Sequence, residues 1–410
     1  MNEQTRGRAG RRVVIAGAGM AGVRTAVALR ERGFDGTVTM IGAEPHPPYD
    51  RPPLSKAVLL GQADADRAAA FDVDFAGLGI DLRLDCAVTG VRTADKEIDT
   101  ARGPVGYDVL VAATGAHPVR LPGTEDSAGV HVLHDLDDAR RLRPVLERKE
   151  SVVVAGAGWI GAEFTTAARD AGCPVTVVEA AGRPLSGALP EEVARPMGAW
   201  YAESGATLLT GARVDRVEPG AVLLADGTRL EADAVVVGIG ARPSTRWLAG
   251  AVDLGPHGEV LADERLRASA PDVYAVGDCA SFPSARYGER LLVHHWDNAL
   301  QGAGTVAEGI LGETAAAPYD PVPYFWSEQF GRFVQYAGHH AAADTLLWRG
   351  EPADPAWSVC WLREGRLVAL LAVGRPRDLA QGRRLIASGA LVDPDLIRDP
   401  ARPLKASAAR

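Results

Sequence analysis

Cysteine is scarce in this 410-residue chain: Cys86, Cys173, Cys279 and Cys360 are the four, and no two lie close together. With no Cys-x-x-Cys or Cys-x4-Cys spacing, the dithiol and metal motifs built on cysteine pairs are absent. The four read as buried structural thiols, and no metal site is expected. Lysine is equally rare. Lys56, Lys96, Lys149 and Lys405 are the whole set among 44 Lys+Arg, which draws attention to Lys56. No apolar run approaches the ~20 residues needed to cross a bilayer. The opening MNEQTRGRAGRR leads into a strand instead of an apolar secretory core. It reads as a frayed arm, and the chain as cytoplasmic with no membrane partner. A net charge of −9 argues against nucleic acid as the main partner.

The chain is 47% hydrophobic with mean hydropathy −0.03 and 46 glycines. That is enough for two or three domains with real cores, and it suits the turns of an α/β protein. Residues 13–22 read VVIAGAGMAG and residues 152–161 read VVVAGAGWIG. In each copy a β-branched run predicts a buried parallel strand, a glycine turn follows, and then comes a helical stretch. Gly17 and Gly156 permit the tight turn. Gly19 and Gly158 let backbone approach a ligand, and Gly22 and Gly161 let helix pack on strand. The helix N-terminus then offers N–H groups to a pyrophosphate. A second strand follows each unit, TVTMIGAE and PVTVVEA. Two such units in register predict two bound dinucleotides.

The second unit interrupts the first. YDVLVAATGAHP and ADAVVVGIGARP are the strands that return beneath the two nucleotides, and SAPDVYAVGDCA supplies a further strand to the first unit. The expected architecture is α/β: two Rossmann-like domains, one inserted in the other, plus a C-terminal α+β domain. Residues 1–118 and 246–323 form the first domain, 119–245 the second and 324–410 the third. In the tail, RFVQYAG, SVCWLREG and RLVALLAVG read as strands and DLAQGRRLIASGA as a helix. Glu179 ends a strand 18 residues beyond Gly161, where a carboxylate accepts the ribose hydroxyls of NAD. It also repels a 2′-phosphate: like charges ~4 Å apart at an effective dielectric near 20 cost ~4 kcal/mol. Arg183 is the counterweight, as a group able to pair with phosphate. NADH is therefore the expected cofactor of the second unit.

The motifs GAGMAG, PYDRPPLSK (48–56), ATG (113–115), GAGWIG, VYAVGDCA (273–280), HWDNAL (295–300) and FWSEQFG (325–331) span almost the whole chain. Together they resemble the FAD-dependent ferredoxin reductases, the family of putidaredoxin reductase and the reductase components of biphenyl-type dioxygenases. The resemblance implies FAD in the first unit, held by Gly17, Gly19, Ala21, Gly22, Arg51, Lys56, Thr114 and Gly115. It implies Asp278 on the ribityl chain, Val88 touching adenosine, Trp296 opening a helix aimed at the flavin pyrimidine edge, and Trp326 covering the isoalloxazine region. Glu44, 22 residues beyond Gly22, suits the adenosine ribose, although relatives often carry their acid at the position of Ala43. His134 matches an arginine near FAD in relatives, or else caps the helix that follows. On the nicotinamide side stand Gly156, Gly158, Trp159, Ile160, Gly161, Glu163, Glu179 and Gly240, with Trp159 in place of a common tyrosine.

Lys56 and Glu163 are the implied catalytic pair, meeting near flavin N5 and the nicotinamide. The implied activity passes electrons from NADH through FAD to a [2Fe–2S] ferredoxin that feeds a cytochrome P450 or another oxygenase. With no cysteine between, the exit is directly from the flavin edge. Ferredoxins are usually acidic, so a local basic face is required; Arg332, Arg375, Arg377, Arg383 and Arg384 are its candidates. A rubredoxin reductase stays open. So does an NADH oxidase, although such enzymes use a redox cysteine where this chain has Ser55. A third alternative is a redox-sensing flavoprotein like apoptosis-inducing factor, acting through dimerisation. The chain is expected as a monomer or homodimer.

Overall fold

The computed structural model describes residues 10–62, 70–124, 127–313 and 317–409. Most of the expected N-terminal arm, residues 1–9, lies outside the described residues. Both glycine motifs fold as strand, turn and helix. Arg12–Ala16 leads to the helix Met20–Glu31, and Val152–Ala155 leads to the helix Trp159–Asp170. Gly17 and Gly156 have φ of +119° and +102°, left-handed territory that favours glycine. A Cβ on Gly17 would lie 2.1 Å from Ala113 O, and one on Gly156 would lie 2.4 Å from Gly238 O. The turn therefore passes against the neighbouring strand only as glycine. The likeness of the copies continues into the helices. Thr25 and Thr165 each donate to the carbonyl four residues back, Ala21 O and Gly161 O, at 2.7 Å.

The chain divides into two compact units: residues 1–50, 70–117 and 242–325, and residues 51–69, 118–241 and 326–410. The first is built on a five-stranded parallel sheet. Its spatial order is Val273–Ala275, Val109–Ala112, Arg12–Ala16, Thr37–Ile41 and Ile80–Arg83. Ile15 lies opposite Met40 on one side and Val111 on the other. The central strands are apolar on both faces, as a sheet buried on both sides requires. The returning strand of YDVLVAATG and the later strand of DVYAVGD are thus adjacent members of one sheet.

The second unit contains another parallel sheet, in the order Thr207–Thr210, Val175–Glu179, Val152–Ala155, Ala234–Val237 and Val130–His131. The tail adds an antiparallel sheet ordered Tyr324–Gln329, Arg332–Gly338, Arg366–Val373, Trp357–Arg363 and Thr345–Arg349. The helix Pro376–Ser388 packs on it. Arg349 is fully buried there. Its guanidinium pairs with Asp378 at 3.2 Å and donates to the carbonyls of Ile397, Asp399 and Arg402. A buried cation needs partners of this number to offset its lost hydration.

All four cysteines are buried and unpaired with one another, as expected. Burial pushes the Cys279 thiol up to about 11 and the Cys360 thiol up to about 12. Among the described residues no helix is long and apolar enough to cross a membrane, and no group of three or more His, Cys, Asp or Glu is placed to hold a metal ion.

Two expectations are corrected. The helix Leu136–Glu147 is capped by Asp135 and not by His134. Asp135 Oδ1 accepts from Asp138 N at 2.8 Å, and the Asp138 carboxylate answers onto Asp135 N. A short acid with a second acid three residues on makes a reciprocal cap that an imidazole cannot match. The basic face also loses two members. Arg332 pairs with Glu203 at 2.6 Å and lies over the Trp200 ring. Arg375 binds Asp378 at 2.5 Å and the Pro400 carbonyl. Arg377 and Arg384 are exposed, and Arg383 is half-buried.

Candidate functional site

Gly19 and Gly158 are the N-cap residues of their helices, and neither helix has a side-chain cap. A Cβ on Gly19 would meet nothing within 4 Å, and one on Gly158 would meet only Gly238 O at 3.9 Å. The first N–H groups of each helix therefore open onto space. By contrast, a Cβ on Gly22 or Gly161 would strike Gly17 O or Gly156 O at 2.0 and 2.1 Å. The turns are shut on the strand side and open at the helix tip, which fits an approaching phosphate pair.

In the first unit, Thr114 follows the Ala113 carbonyl that presses on Gly17. Thr114 Oγ1 donates to Ser244 O at 2.7 Å, and the Gly115 carbonyl accepts from Ser244 N at 2.9 Å. The turn Gly277–Cys279, which carries Asp278, arrives at the start of the helix Met20–Glu31. An added Cβ on Gly277 would stand 3.0 Å from Ala21 Cβ. Glu44 accepts from Tyr49 Oη at 2.5 Å. Trp296 Nε1 donates to Asp50 Oδ1 at 2.6 Å, which fixes the indole at the head of the helix Trp296–Leu311. Val88 is half-buried at the start of its strand. Four residues expected at FAD, namely Arg51, Lys56, His134 and Trp326, belong to the second unit. There Arg51 Nη1 donates to the His134 carbonyl at 2.5 Å.

At the second turn the Glu179 carboxylate has a task that its position in the sequence does not reveal. Oε2 accepts from Ala157 N and Oε1 from Ala181 N, both at 2.8 Å. It ties the strand end to the glycine turn, and each oxygen keeps a lone pair for a further donor. Tyr201 Oη is buried with no hydrogen-bond partner. Its pKa is raised by burial and then by the Glu179 charge. Arg183 lies 3.9 Å from Glu191 and leaves its own Nε buried and unmatched. Ile160 and Ile239 flank the turn. They are two of the four large apolar side chains exposed among the described residues, at 45% and 42%, and are suited to a ligand's apolar surface. Gly240 sits at φ +115°, and Trp159 begins the helix.

Lys56 and Glu163 are brought together as an ion pair. Lys56 follows the short 3-10 turn Pro52–Ser55, whose prolines preset the backbone. Lys56 Nζ stands 3.0 Å from Glu163 Oε2. Glu163 is only 6% exposed and sits in the first turns of the helix Trp159–Asp170. Ser55 Oγ donates to the same oxygen at 2.5 Å, while Ser327 Oγ at 2.7 Å and Glu328 N at 3.3 Å reach Oε1. Four donors thus converge on one buried carboxylate. Neither serine was expected as its partner. Ser327 lies in the FWSEQFG motif and Ser55 in PPLSK, but neither motif marks a hydroxyl for that use.

Comparison with known proteins identifies the family. Residues 11–303 match the family model "Pyridine nucleotide-disulphide oxidoreductase", and residues 324–408 match "Reductase C-terminal". The ferredoxin reductase subunit of 5,5′-dehydrodivanillate O-demethylase from Sphingobium sp. is 37% identical over 402 residues, covering 96% of this chain and 97% of its own. Putidaredoxin reductase from Pseudomonas putida is 34% identical over 411 residues, 96% of each chain. The solved covalent complex of putidaredoxin reductase with putidaredoxin superposes with a TM-score of 0.90 at 33% identity, over 97% of this chain and 98% of the other.

Proposed function

The chain belongs to the pyridine nucleotide-disulphide oxidoreductase family, among its ferredoxin reductases, and on that premise we propose that it is an NADH-dependent, FAD-containing reductase of an iron–sulfur ferredoxin. The observation that carries the reading is the pairing of Lys56 with the buried Glu163 carboxylate, at the head of the helix that follows the second glycine turn. FAD, when bound, supplies the chemistry of taking two electrons from a nicotinamide and releasing them singly.

The protein's part is placement and charge. The first glycine turn, Asp278 and the head of the helix Trp296–Leu311 hold FAD, and that helix end presents about half a positive charge. The second turn holds NADH, with Glu179 receiving the ribose and disfavouring a 2′-phosphate. Lys56 would supply a fixed cation to the bound flavin, and Glu163 would orient the carboxamide through its buried carboxylate. The burial of Glu163, Ser55 and Ser327 keeps water from the carboxylate. The cysteines lie buried, with Cys279 and Cys360 held as thiols, so no sulfur relay joins the route. The acceptor is a [2Fe–2S] ferredoxin that serves a cytochrome P450 or another oxygenase in the cytoplasm, and Arg377 and Arg384 are the exposed cations of the tail helix open to it.

The test is NADH-dependent reduction of purified [2Fe–2S] ferredoxins, followed optically and compared with oxygen alone. Ferredoxin should accelerate NADH consumption severalfold. A preparation that binds no FAD, or one that consumes NADH equally fast with and without every ferredoxin, overturns the reading.

A further inference from the structure

Glu163 is addressed from two segments far apart in sequence. Ser55 and Lys56 hold Oε2, and the strand Tyr324–Gln329 holds Oε1 through Ser327 Oγ and Glu328 N. Residues of a strand alternate between its faces. Ser327 and Gln329 share the buried face, 1% and 2% exposed, while Trp326 and Glu328 turn the other way. Gln329 Nε2 donates to Ser327 Oγ at 3.0 Å. A hydroxyl has one proton, and with its oxygen already accepting from Gln329, that proton is directed to Glu163. The chain of donation therefore runs one way, from Gln329 to Ser327 to Glu163. Three residues further along the same helix, Thr166 Oγ1 accepts from Phe330 N at 2.9 Å, so the strand is clipped to one helix face at two points.

On the reading proposed above, we infer that Ser327, oriented by Gln329, is a positioning residue for the Lys56–Glu163 pair. It pins one carboxylate oxygen so that the other is presented to Lys56, and it joins that pair to the strand that carries Trp326. Without it the carboxylate keeps its charge but loses its fixed direction.

The experiment uses the FAD-loaded protein and four variants: Ser327→Ala, Gln329→Met, Glu163→Ala and the double change of Ser327 and Glu163 to alanine. The limiting rate of flavin bleaching at saturating NADH is measured by stopped flow. Long-wavelength absorbance of the NADH-reduced protein is recorded alongside, because it reports stacking of the nicotinamide on the flavin. Ser327→Ala should lower the limiting rate about 10- to 100-fold, the scale of a misplaced catalytic group, and weaken that absorbance while FAD stays bound. Gln329→Met, which keeps the serine and a similar volume, should give a smaller loss of the same kind, and it serves if Ser327→Ala does not fold. In the Glu163→Ala background, loss of Ser327 should cost nothing further. A limiting rate and absorbance unchanged in both Ser327→Ala and Gln329→Met overturn the inference, as do losses that multiply in the double variant. A wild-type protein that NADH does not bleach overturns the underlying reading instead.

Discussion

Lys56 Nζ lies 3.0 Å from Glu163 Oε2 across 107 positions of sequence, with the carboxylate almost wholly buried. An ion pair on a surface contributes little. One held by three further donors is an arrangement that the fold maintains at a cost in desolvation. Glu163→Ala should therefore slow NADH-driven flavin reduction about 10- to 100-fold and leave FAD bound. Stopped-flow bleaching at saturating NADH measures it, and an unchanged limiting rate removes Glu163 from the mechanism.

Gly158 and Gly161 should respond oppositely to the same added methyl. In a helix, Ala normally exceeds Gly in stability by about 1 kcal/mol. At Gly161 the Cβ would sit 2.1 Å from Gly156 O, so Gly161→Ala should lower the melting temperature. At Gly158 the Cβ meets nearly open space. Gly158→Ala should melt like wild type yet bind NAD+ about tenfold or more weakly, roughly 1.4 kcal/mol. Equilibrium titration beside a thermal melt separates the two effects, and tight NAD+ binding by Gly158→Ala contradicts the phosphate reading of that turn.

Glu179 braces the turn through Ala157 N and Ala181 N, and on the proposed function its charge would also face the ribose. Glu179→Gln keeps the shape but turns one acceptor into a donor that faces a backbone N–H. The kcat/KM for NADH should fall about tenfold, the scale of a lost charged hydrogen bond. The ratio of NADH to NADPH efficiency should narrow as well. Steady-state rates with both nucleotides decide it, and an unaltered ratio denies Glu179 its role in choosing between them.

His340 stacks on Trp361, hydrogen-bonds Tyr336 Oη through Nδ1 at 2.7 Å, and is pushed down to about 4 by burial and then by the neighbouring His339. The unfolded chain takes up this proton near the ordinary value of 6.5. Stability from the neutral ring is thus complete above that value and is lost as pH falls towards 4. His340→Phe should flatten the fall in melting temperature between pH 6.5 and pH 4.5. An equally steep fall in the variant assigns the acid sensitivity elsewhere.

The elements that local pattern governs were legible. The helix Trp296–Leu311 opens at Trp296, where the HWDNAL motif put it, and both glycine turns fold where glycine spacing put them. Partners that meet only in three dimensions were not. Ser327 reaches Glu163 across 164 positions, and no periodicity marks a hydroxyl for that use. Arg332 and Arg375 read as free cations because an arginine's acid is invisible until the chain folds. Asp135 is a different case. Its acid three residues on is a local cap signal readable from the sequence alone.

The pairing of Val273–Ala275 with Val109–Ala112 sets a timetable for biosynthesis. Every strand of the second parallel sheet, from Val130 to Val237, leaves the ribosome between those two neighbours. Throughout that interval one flank of the earlier sheet has no bonding partner, while the later sheet already holds all its members. The inserted sheet can therefore be complete before the earlier one closes, and the waiting flank is the place where a nascent chain of this kind is most open to capture by chaperones or to mispairing with its own copies.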